Sequence, residues 1–175
     1  YKQRYERGNV CYPLKIVGDC EQERHGSVIT FKPDSQIFQE TTIFEFDVLQ
    51  TRLREMAFLT KGLKIILEDR REEQPRTKEY HYEGGIKEFV TYLNGSKAPL
   101  YDKIMYFEGS KNGVYVEAAL QHNDSYNESV FSFVNNINTP EGGTHLVGFR
   151  NALTKTFNDY ARSNKLLKDN EPNLS

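Results

Sequence analysis

Apolar residues change their spacing partway along this chain, and that change limits what the chain can fold into. Between residues 46 and 57 they recur every three or four positions, a spacing typical of one face of an α-helix, and Lys61-Gly62 follows as a stop signal. Apolar and polar residues then alternate in two stretches, 63–67 and 78–82, on either side of a charged turn. Alternation indicates half-exposed β-strands. The sequence therefore predicts an α+β fold, with antiparallel-rich mixed sheets and helices packed on one face.

The first 33 residues show no helical spacing. Three strands are predicted there, at residues 1–6, 14–17 and 27–31, with turns at Gly8-Asn9 and Gly18-Asp19 between them. Strands joined by short turns are typical of a meander.

A second helix is predicted after Gly84-Gly85, and Asn94-Gly95 ends it. The polar connection 96–99 follows, and beyond it the pattern becomes rich in strands. Three strands and one long helix are predicted there, at residues 104–107, 114–120, 129–134 and 144–164. Because the pattern changes at this connection, we place a domain boundary between residues 97 and 98.

Composition excludes several classes of protein. The 23 basic and 25 acidic residues nearly balance, so binding of a polyanion by the whole surface is not expected and any nucleic-acid contact is local. The two cysteines form neither a disulfide framework nor a zinc set, which favours a reduced, cytoplasmic protein. No apolar run approaches the length of a membrane span and no signal peptide is found, so no membrane partner is predicted.

No motif of a complete active site occurs in the sequence. Both common phosphate-binding loops and the serine nucleophile elbow are absent, so no catalytic residue is predicted. The four histidines are scattered without other ligands at metal-binding spacing, so no metal site is predicted either.

His25-Gly26-Ser27, at the start of the third predicted strand, is one candidate ligand site. Glycine lets a backbone approach a ligand closely, and the hydroxyl of serine can hydrogen-bond to one. The alternative is an ordinary turn into a strand.

The loop 138–145 is a second candidate, because the N-terminus of the long helix that follows favours an anion. The alternative is that Thr139 or Thr144 simply caps the helix, with Pro140 in its first turn.

The polar side of the long helix is a third candidate. Its apolar side is predicted to face a core through Leu146, Phe149, Leu153, Phe157 and Tyr160. The residues predicted to face away are Asn151, Lys155, Asn158 and Arg162, with Arg150 at the edge. Basic groups on such a face can contact DNA phosphates without reading sequence; the alternative is a solvated helix face.

Three blocks of sequence, taken together and in this order, resemble one known family. They are TRLREMAFL at 51–59, YHYEGGIKEF at 80–89 and the stretch from Asn135-Asn136-Ile137 through EGGTHL to Gly148-Phe149-Arg150. This combination resembles the gyrase B family of type II topoisomerases, in its Gram-positive form more than in the paralogous topoisomerase IV subunit.

The resemblance implies two incomplete domains. Residues 1–97 resemble the C-terminal half of an ATPase domain of the gyrase, Hsp90 and MutL type, and residues 98–175 resemble the start of a ribosomal-protein-like transducer domain. It also implies that Gly26 and Ser27 border the adenine pocket, with Ile29 as an apolar wall. Ser27 stands where the family has threonine, so the hydroxyl is kept and a methyl is lost. Arg150, and less strongly Lys155, are implied to face the cavity through which DNA passes.

The resemblance further implies a parent enzyme that couples ATP binding and hydrolysis to DNA strand passage and negative supercoiling. That enzyme would use ATP and magnesium, and its partners would be DNA, a gyrase A subunit and a second B subunit. The chain begins with Tyr1, and the general base and the phosphate-contacting lysine of the family have no counterpart in it. We therefore expect a fragment that is inactive alone and binds no cofactor. The alternatives are the equivalent subunit of topoisomerase IV, which decatenates DNA, and a non-enzymatic binding module.

Overall fold

A computed structural model describes residues 1–168 and 170–174. The chain divides into two compact units, Tyr1–Phe46 and the part from Asp47 onward. The predicted boundary between residues 97 and 98 lies inside the second unit. This boundary refers to the domains of the family that the sequence resembles and not to contacts within this chain. It stays a prediction.

The first unit contains one antiparallel hairpin. Strand β1 (Lys2–Glu6) pairs with β2 (Asn9–Lys15) through a tight turn at Arg7-Gly8, where both residues have positive φ. The second strand therefore starts five residues earlier than the predicted 14–17, because a two-residue turn lets pairing resume at once.

The predicted strand at 27–31 is wrong. The described residues 16–45 contain neither a helix nor a strand, and Val28 and Ile29 are 96% and 85% exposed. A residue pattern becomes a strand only when a neighbouring strand supplies hydrogen bonds to its backbone, and none pairs with this segment within the described part of the chain.

The second unit begins within helix α1 (Phe46–Leu59). The hairpin of β3 (Lys64–Asp69) and β4 (Arg76–His81) follows in continuous antiparallel register, and then helix α2 (Ile86–Asn94). These elements confirm the predicted helix, hairpin and second helix.

Beyond α2, strands β5 (Met105–Lys111) and β6 (Val114–Leu120) form a second long hairpin. The two-residue strands β7 (Phe133–Val134) and β8 (Ile137–Asn138) form a third, and helix α3 (Thr144–Ser163) follows them. The predicted strand at 129–134 is mostly wrong, because the turn at Asn135-Asn136, both with positive φ, closes onto a partner of only two residues. Helices and antiparallel hairpins together confirm the α+β class.

An aromatic cluster forms the core of the second unit. Phe58 on α1 is 1% exposed, and its ring stacks on Tyr82 with centroids 3.6 Å apart and on Phe89 of α2 at 5.0 Å. Phe89 also meets Phe131 edge-on at 5.5 Å, so the core joins α1, the end of the first long hairpin, α2 and the segment before β7. Within the described residues, no helix has the length and apolar character needed to cross a membrane.

Candidate nucleotide and DNA sites

The three residues predicted to bind a nucleotide lie together in the first unit. Gly26, Ser27 and Ile29 are exposed and belong to the segment without regular structure. The φ of Gly26 is 154°, within the range that favours glycine, and a Cβ added there would meet nothing within 4 Å. The nucleotide-binding role of these three residues stays a prediction.

The loop before α3 is held by its own hydrogen bonds. The Thr139 hydroxyl lies 2.7 Å from the Ser132 hydroxyl and 3.1 Å from His145 Nε2. Gly143 precedes the helix and no side chain caps it, so the alternative of capping by Thr139 or Thr144 is wrong. Gly143 suits this position because its φ of 148° lies in the range that favours glycine, and a Cβ there would come within 2.9 Å of the His145 ring.

Both basic residues predicted to face DNA lie exposed on α3, and each is paired with a carboxylate. Arg150 Nη2 donates to Glu128 Oε2 at 2.9 Å, and Lys155 forms an ion pair one turn along the helix with Asp159. A phosphate at this face would have to displace those carboxylates. Exposed pairs of this kind contribute at most about 1 kcal/mol, so they open readily.

Two residues predicted to face away from α3 instead bind the end of the chain. Asn158 is 6% exposed, and its amide donates to the Leu174 carbonyl and accepts from the Leu174 amide, at 3.0 and 2.7 Å. Arg162 donates to the Lys168 and Glu171 carbonyls, both at 3.0 Å.

The predicted apolar side of α3 is correspondingly rotated. Phe157 and Tyr160 are 41% and 62% exposed, whereas Leu146, Phe149 and Leu153 are partly buried. The reason is that an irregular segment needs hydrogen-bond partners for its backbone, and the amide of Asn158 and the guanidinium of Arg162 supply them. The spacing of apolar residues could not predict this rotation, because no local pattern shows which polar residues of a helix a distant segment will cover.

A cleft of about 210 Å³ lies between α1 and α2. Arg54, Tyr92 and Phe131 contribute to its lining, and the Arg54 guanidinium carbon lies 5.1 Å from the centre of the Tyr92 ring. Partial burial opposes the charge of Arg54, but the neighbouring Tyr80 and Tyr92 side chains raise its pKa above the usual value. The cleft therefore keeps a fixed cation against aromatic rings.

No group of three or more His, Cys, Asp or Glu side chains comes together as a metal site within the part of the chain that the structure describes.

Comparison with known proteins gives consistent matches over this chain. It is 52% identical over 173 residues to the B subunit of DNA gyrase from Bacillus mycoides, a match that covers 99% of this chain and 42% of that relative. It is 49% identical over 174 residues to the B subunit of DNA topoisomerase 4 from Staphylococcus epidermidis, covering 99% of this chain and 26% of that relative. The chain thus spans less than half the length of these relatives.

The fold also matches a solved structure. The crystal structure of the 43K ATPase domain of Thermus thermophilus gyrase B, in complex with an aminocoumarin, is similar with a TM-score of 0.78 and 33% identity, covering 99% of this chain and 46% of that chain. The family model described as DNA gyrase B matches residues 85–175, which is more than half of the sequence. The chain belongs to the DNA gyrase B family.

Proposed function

We propose that this protein works in a type II topoisomerase that couples ATP binding and hydrolysis to DNA strand passage and negative supercoiling. The observation that carries the proposal is similarity over 99% of the chain to a gyrase B ATPase domain, together with half-identical sequence to gyrase B subunits. ATP closes a clamp of two B subunits, a DNA segment passes through a break made by the A subunits, and hydrolysis resets the clamp. The substrates are ATP with magnesium and duplex DNA, in the cytoplasm.

Residues 1–97 supply the second half of the ATPase domain in this proposal, and residues 98–175 begin the transducer. The polar connection at 96–99, where the sequence pattern changes, supports this division. The part that holds nucleotide and the part that faces DNA are then joined by α2 and the β5–β6 hairpin.

Gly26, Ser27 and Ile29 border the adenine pocket in this proposal. The Ser27 hydroxyl forms a hydrogen bond in that pocket, and the exposed Ile29 side chain covers one face of the adenine ring. In the full-length protein, Ser27→Ala should weaken ATP binding by about 0.5–1.5 kcal/mol, the usual contribution of one hydrogen bond. Ser27→Thr, which restores a hydroxyl and adds a methyl, should bind ATP at least as tightly as the original protein. Equal ATP affinity of the Ala and Thr variants, measured by calorimetry, would remove Ser27 from the site.

Arg150 contacts DNA phosphates, with Lys155 as a weaker companion. Because Glu128 holds Arg150, Glu128→Gln should free the guanidinium and tighten binding of duplex DNA. Arg150→Gln should weaken it and lower the slope of log affinity against log salt by about 1.

Glu79→Gln is the matched control for the DNA measurement, since it makes the same charge change and frees Lys64 from an exposed pair in the β3–β4 hairpin. If Glu128→Gln and Glu79→Gln raise DNA affinity equally, the effect is one of net charge and Arg150 has no special role.

The decisive experiment is ATP-dependent supercoiling of relaxed plasmid by the full-length protein with its A subunit. Decatenation of linked circles without supercoiling would instead assign the second candidate, topoisomerase IV, which the 49% identity to a topoisomerase 4 relative favours. ATP-independent binding without either activity would support a non-enzymatic module.

A further inference from the structure

Lys61, in the loop after α1, passes the start of α2 at Gly85 and contacts the hairpin of β5 and β6. Its Nζ lies 3.1 Å from Glu117 Oε1 and 3.5 Å from the Tyr106 hydroxyl. The Glu117 side chain is only 21% exposed, so this ion pair is partly shielded from water. A residue of the ATPase half is thereby tied to the first hairpin of the transducer half.

Gly85 makes the path of this lysine possible. It is buried at the start of α2, and a Cβ built on it would lie 2.3 Å from Lys61 Cε and 2.8 Å from Lys61 Cγ. The aliphatic part of Lys61 therefore lies directly on the Gly85 backbone, and any side chain at that position would push the lysine away. The φ of Gly85, 62°, also favours glycine.

On the hairpin, the side chains of this contact have fewer hydrogen-bond donors than acceptors. The Tyr106 hydroxyl lies 2.6 Å from Glu108 Oε2 and 2.6 Å from Glu117 Oε1, but a phenol has one proton and donates to one carboxylate at a time. Glu108 also accepts from the Tyr115 hydroxyl at 2.8 Å. Glu117 thus depends on Lys61 as its second donor. Without Lys61, one of the two Tyr106 contacts would place two hydrogen-bond acceptors side by side. That contact would then open.

A second lysine strengthens the same cluster. Lys87 Nζ, on α2, lies 4.8 Å from the centre of the Tyr106 ring, and Lys61 Nζ lies 5.3 Å from it. Hydrogen bonding to Glu108, and then to Glu117, raises the pKa of Tyr106 well above its usual value, so the hydroxyl keeps its proton. We call Lys61, Lys87, Tyr106, Glu108 and Glu117 the lysine joint.

The other end of α2 is held by amide side chains. Asn94 Nδ2 donates to Gln121 Oε1 at 2.6 Å, and Asn123 Nδ2 donates to Asn94 Oδ1 at 2.8 Å. Gln121 in turn donates to the Tyr101 carbonyl at 2.7 Å. The C-terminal end of the helix is therefore tied by polar contacts to the segment that follows β6, while Phe89 at its middle lies in the aromatic core.

We propose that the lysine joint is a contact through which the ATPase half controls the position of the transducer hairpin, with Lys61 as its positioning residue. This inference rests on the proposed function. The aromatic core packs α2 against α1, and it also reaches Phe131 in the part that follows residue 97. The polar joint can exchange partners, because charged groups at its edge are accessible to water. Replacing Lys61 should therefore leave the rate of ATP hydrolysis near that of the original protein and weaken the coupling of hydrolysis to DNA passage.

The structural test is hydrogen exchange in the full-length protein. Lys61→Gln should speed exchange of the backbone amides in β5 and β6, and Lys61→Arg should restore slow exchange by replacing the donor. Lys64→Gln is the matched control, because Lys64 lies three residues away and pairs with Glu79 on the surface. If Lys61→Gln and Lys64→Gln give the same exchange in the hairpin, there is no such joint.

The functional test measures supercoils introduced per ATP hydrolysed, in the full-length protein with its A subunit. Lys61→Gln should lower this ratio by about fivefold or more, the usual scale of coupling between sites. ATP hydrolysis itself should stay near that of the original protein. Lys61→Arg should recover most of the ratio.

Faster hairpin exchange with an unchanged ratio would overturn the role in coupling. Absence of ATP-dependent supercoiling in the original protein would overturn the proposed function, whereas the exchange measurement would still decide whether the joint exists.

Discussion

Phe58 connects the elements of the second unit through its ring. Its stacking on Tyr82 and Phe89 is accompanied by a tilted contact with Tyr92 at 5.5 Å, so side chains from β4's end and from α2 meet on one residue of α1. The apolar spacing that predicted α1 includes Met56 and Ala57. Ala57 is fully buried as that spacing predicts, whereas Met56 is 43% exposed and Phe58, outside the spacing, is buried. Ring contacts of this kind add specific geometry to burial of a large apolar area.

Phe58→Ala should lower the free energy of unfolding by about 3–5 kcal/mol, because it removes a buried ring and leaves a cavity. The measurement is urea unfolding of the 175-residue chain followed by circular dichroism. Val48→Ala is the control, since Val48 lies on the same helix and is 58% exposed. Similar losses in the two variants would show that Phe58 does not hold the core.

Asp69, at the end of β3, accepts hydrogen bonds from Arg71 in the turn of the first long hairpin. Hydrogen bonds from the Arg71 side chain and then from the Arg71 backbone lower the pKa of Asp69 from 3.8 to about 2. Arg71 Nε donates to Oδ1 at 2.8 Å and the Arg71 amide donates to the same oxygen at 3.1 Å.

Because the folded pKa of Asp69 is depressed, its contribution to stability is present above pH about 4 and is lost as the pH falls to about 2. Asp69→Asn removes this contribution, so the variant should be less stable than the original chain at pH about 5 and the difference should shrink toward pH about 2. The check is the urea midpoint measured across this range. A difference that stays constant with pH would show that the pair does not titrate in this way.

At the scale of elements, α3 shows how one helix organises the segment that follows it. The Asn158 side chain donates one hydrogen bond to the Leu174 backbone and accepts another from it, and Arg162 donates to the Lys168 and Glu171 carbonyls. Phe149, on the same helix, stacks against Phe107 of β5 with centroids 6.3 Å apart. The helix therefore packs on the hairpin by an apolar side chain and binds the chain end by polar ones.

Asn158→Ala should release the Leu174 segment, because two backbone groups lose their partner at a cost of about 1–3 kcal/mol. Limited proteolysis should then cut near residue 174 faster than in the original protein. Asn151→Ala is the control, since Asn151 lies on the same helix and is exposed. Equal cleavage rates for both variants would mean that Asn158 does not fix the segment.

At the scale of the molecule, the first unit exposes most of its apolar side chains. None of the described residues 1–45 is buried, and Tyr1, Ile16, Phe31 and Ile43 are each at least 70% exposed. Apolar side chains exposed to this extent are unusual for a free monomer.

The 175-residue chain by itself should bind ATP weakly and should not hydrolyse it, because hydrolysis needs a positioned base and a phosphate clamp together. Phosphate release and calorimetry on the purified chain provide the measurement, with the full-length protein as the positive control. Stoichiometric turnover of ATP by the chain alone would contradict this prediction.

The local pattern of residues was sufficient for most regular elements. Helical spacing predicted α1, α2 and α3, alternation predicted β3, β4 and β6, and three short blocks identified the family before any contact was known. These features are encoded among near neighbours, because a helix face or a strand face is defined by residues a few positions apart. The site candidates Gly26, Ser27, Ile29, Arg150 and Lys155 came from the same kind of local comparison and stay predictions.

Only the tertiary structure decided which side chains meet across the chain. Lys61 and Tyr106, 45 residues apart, share one polar joint, and Asn158 is buried by a segment 16 residues away. The failed strand at 27–31 has the same origin, since its sequence is suitable but pairing depends on a neighbour. The spacing of near neighbours determines which elements can form. The partner of each charged group, amide or exposed backbone is determined by the packing of those elements, which no short pattern contains.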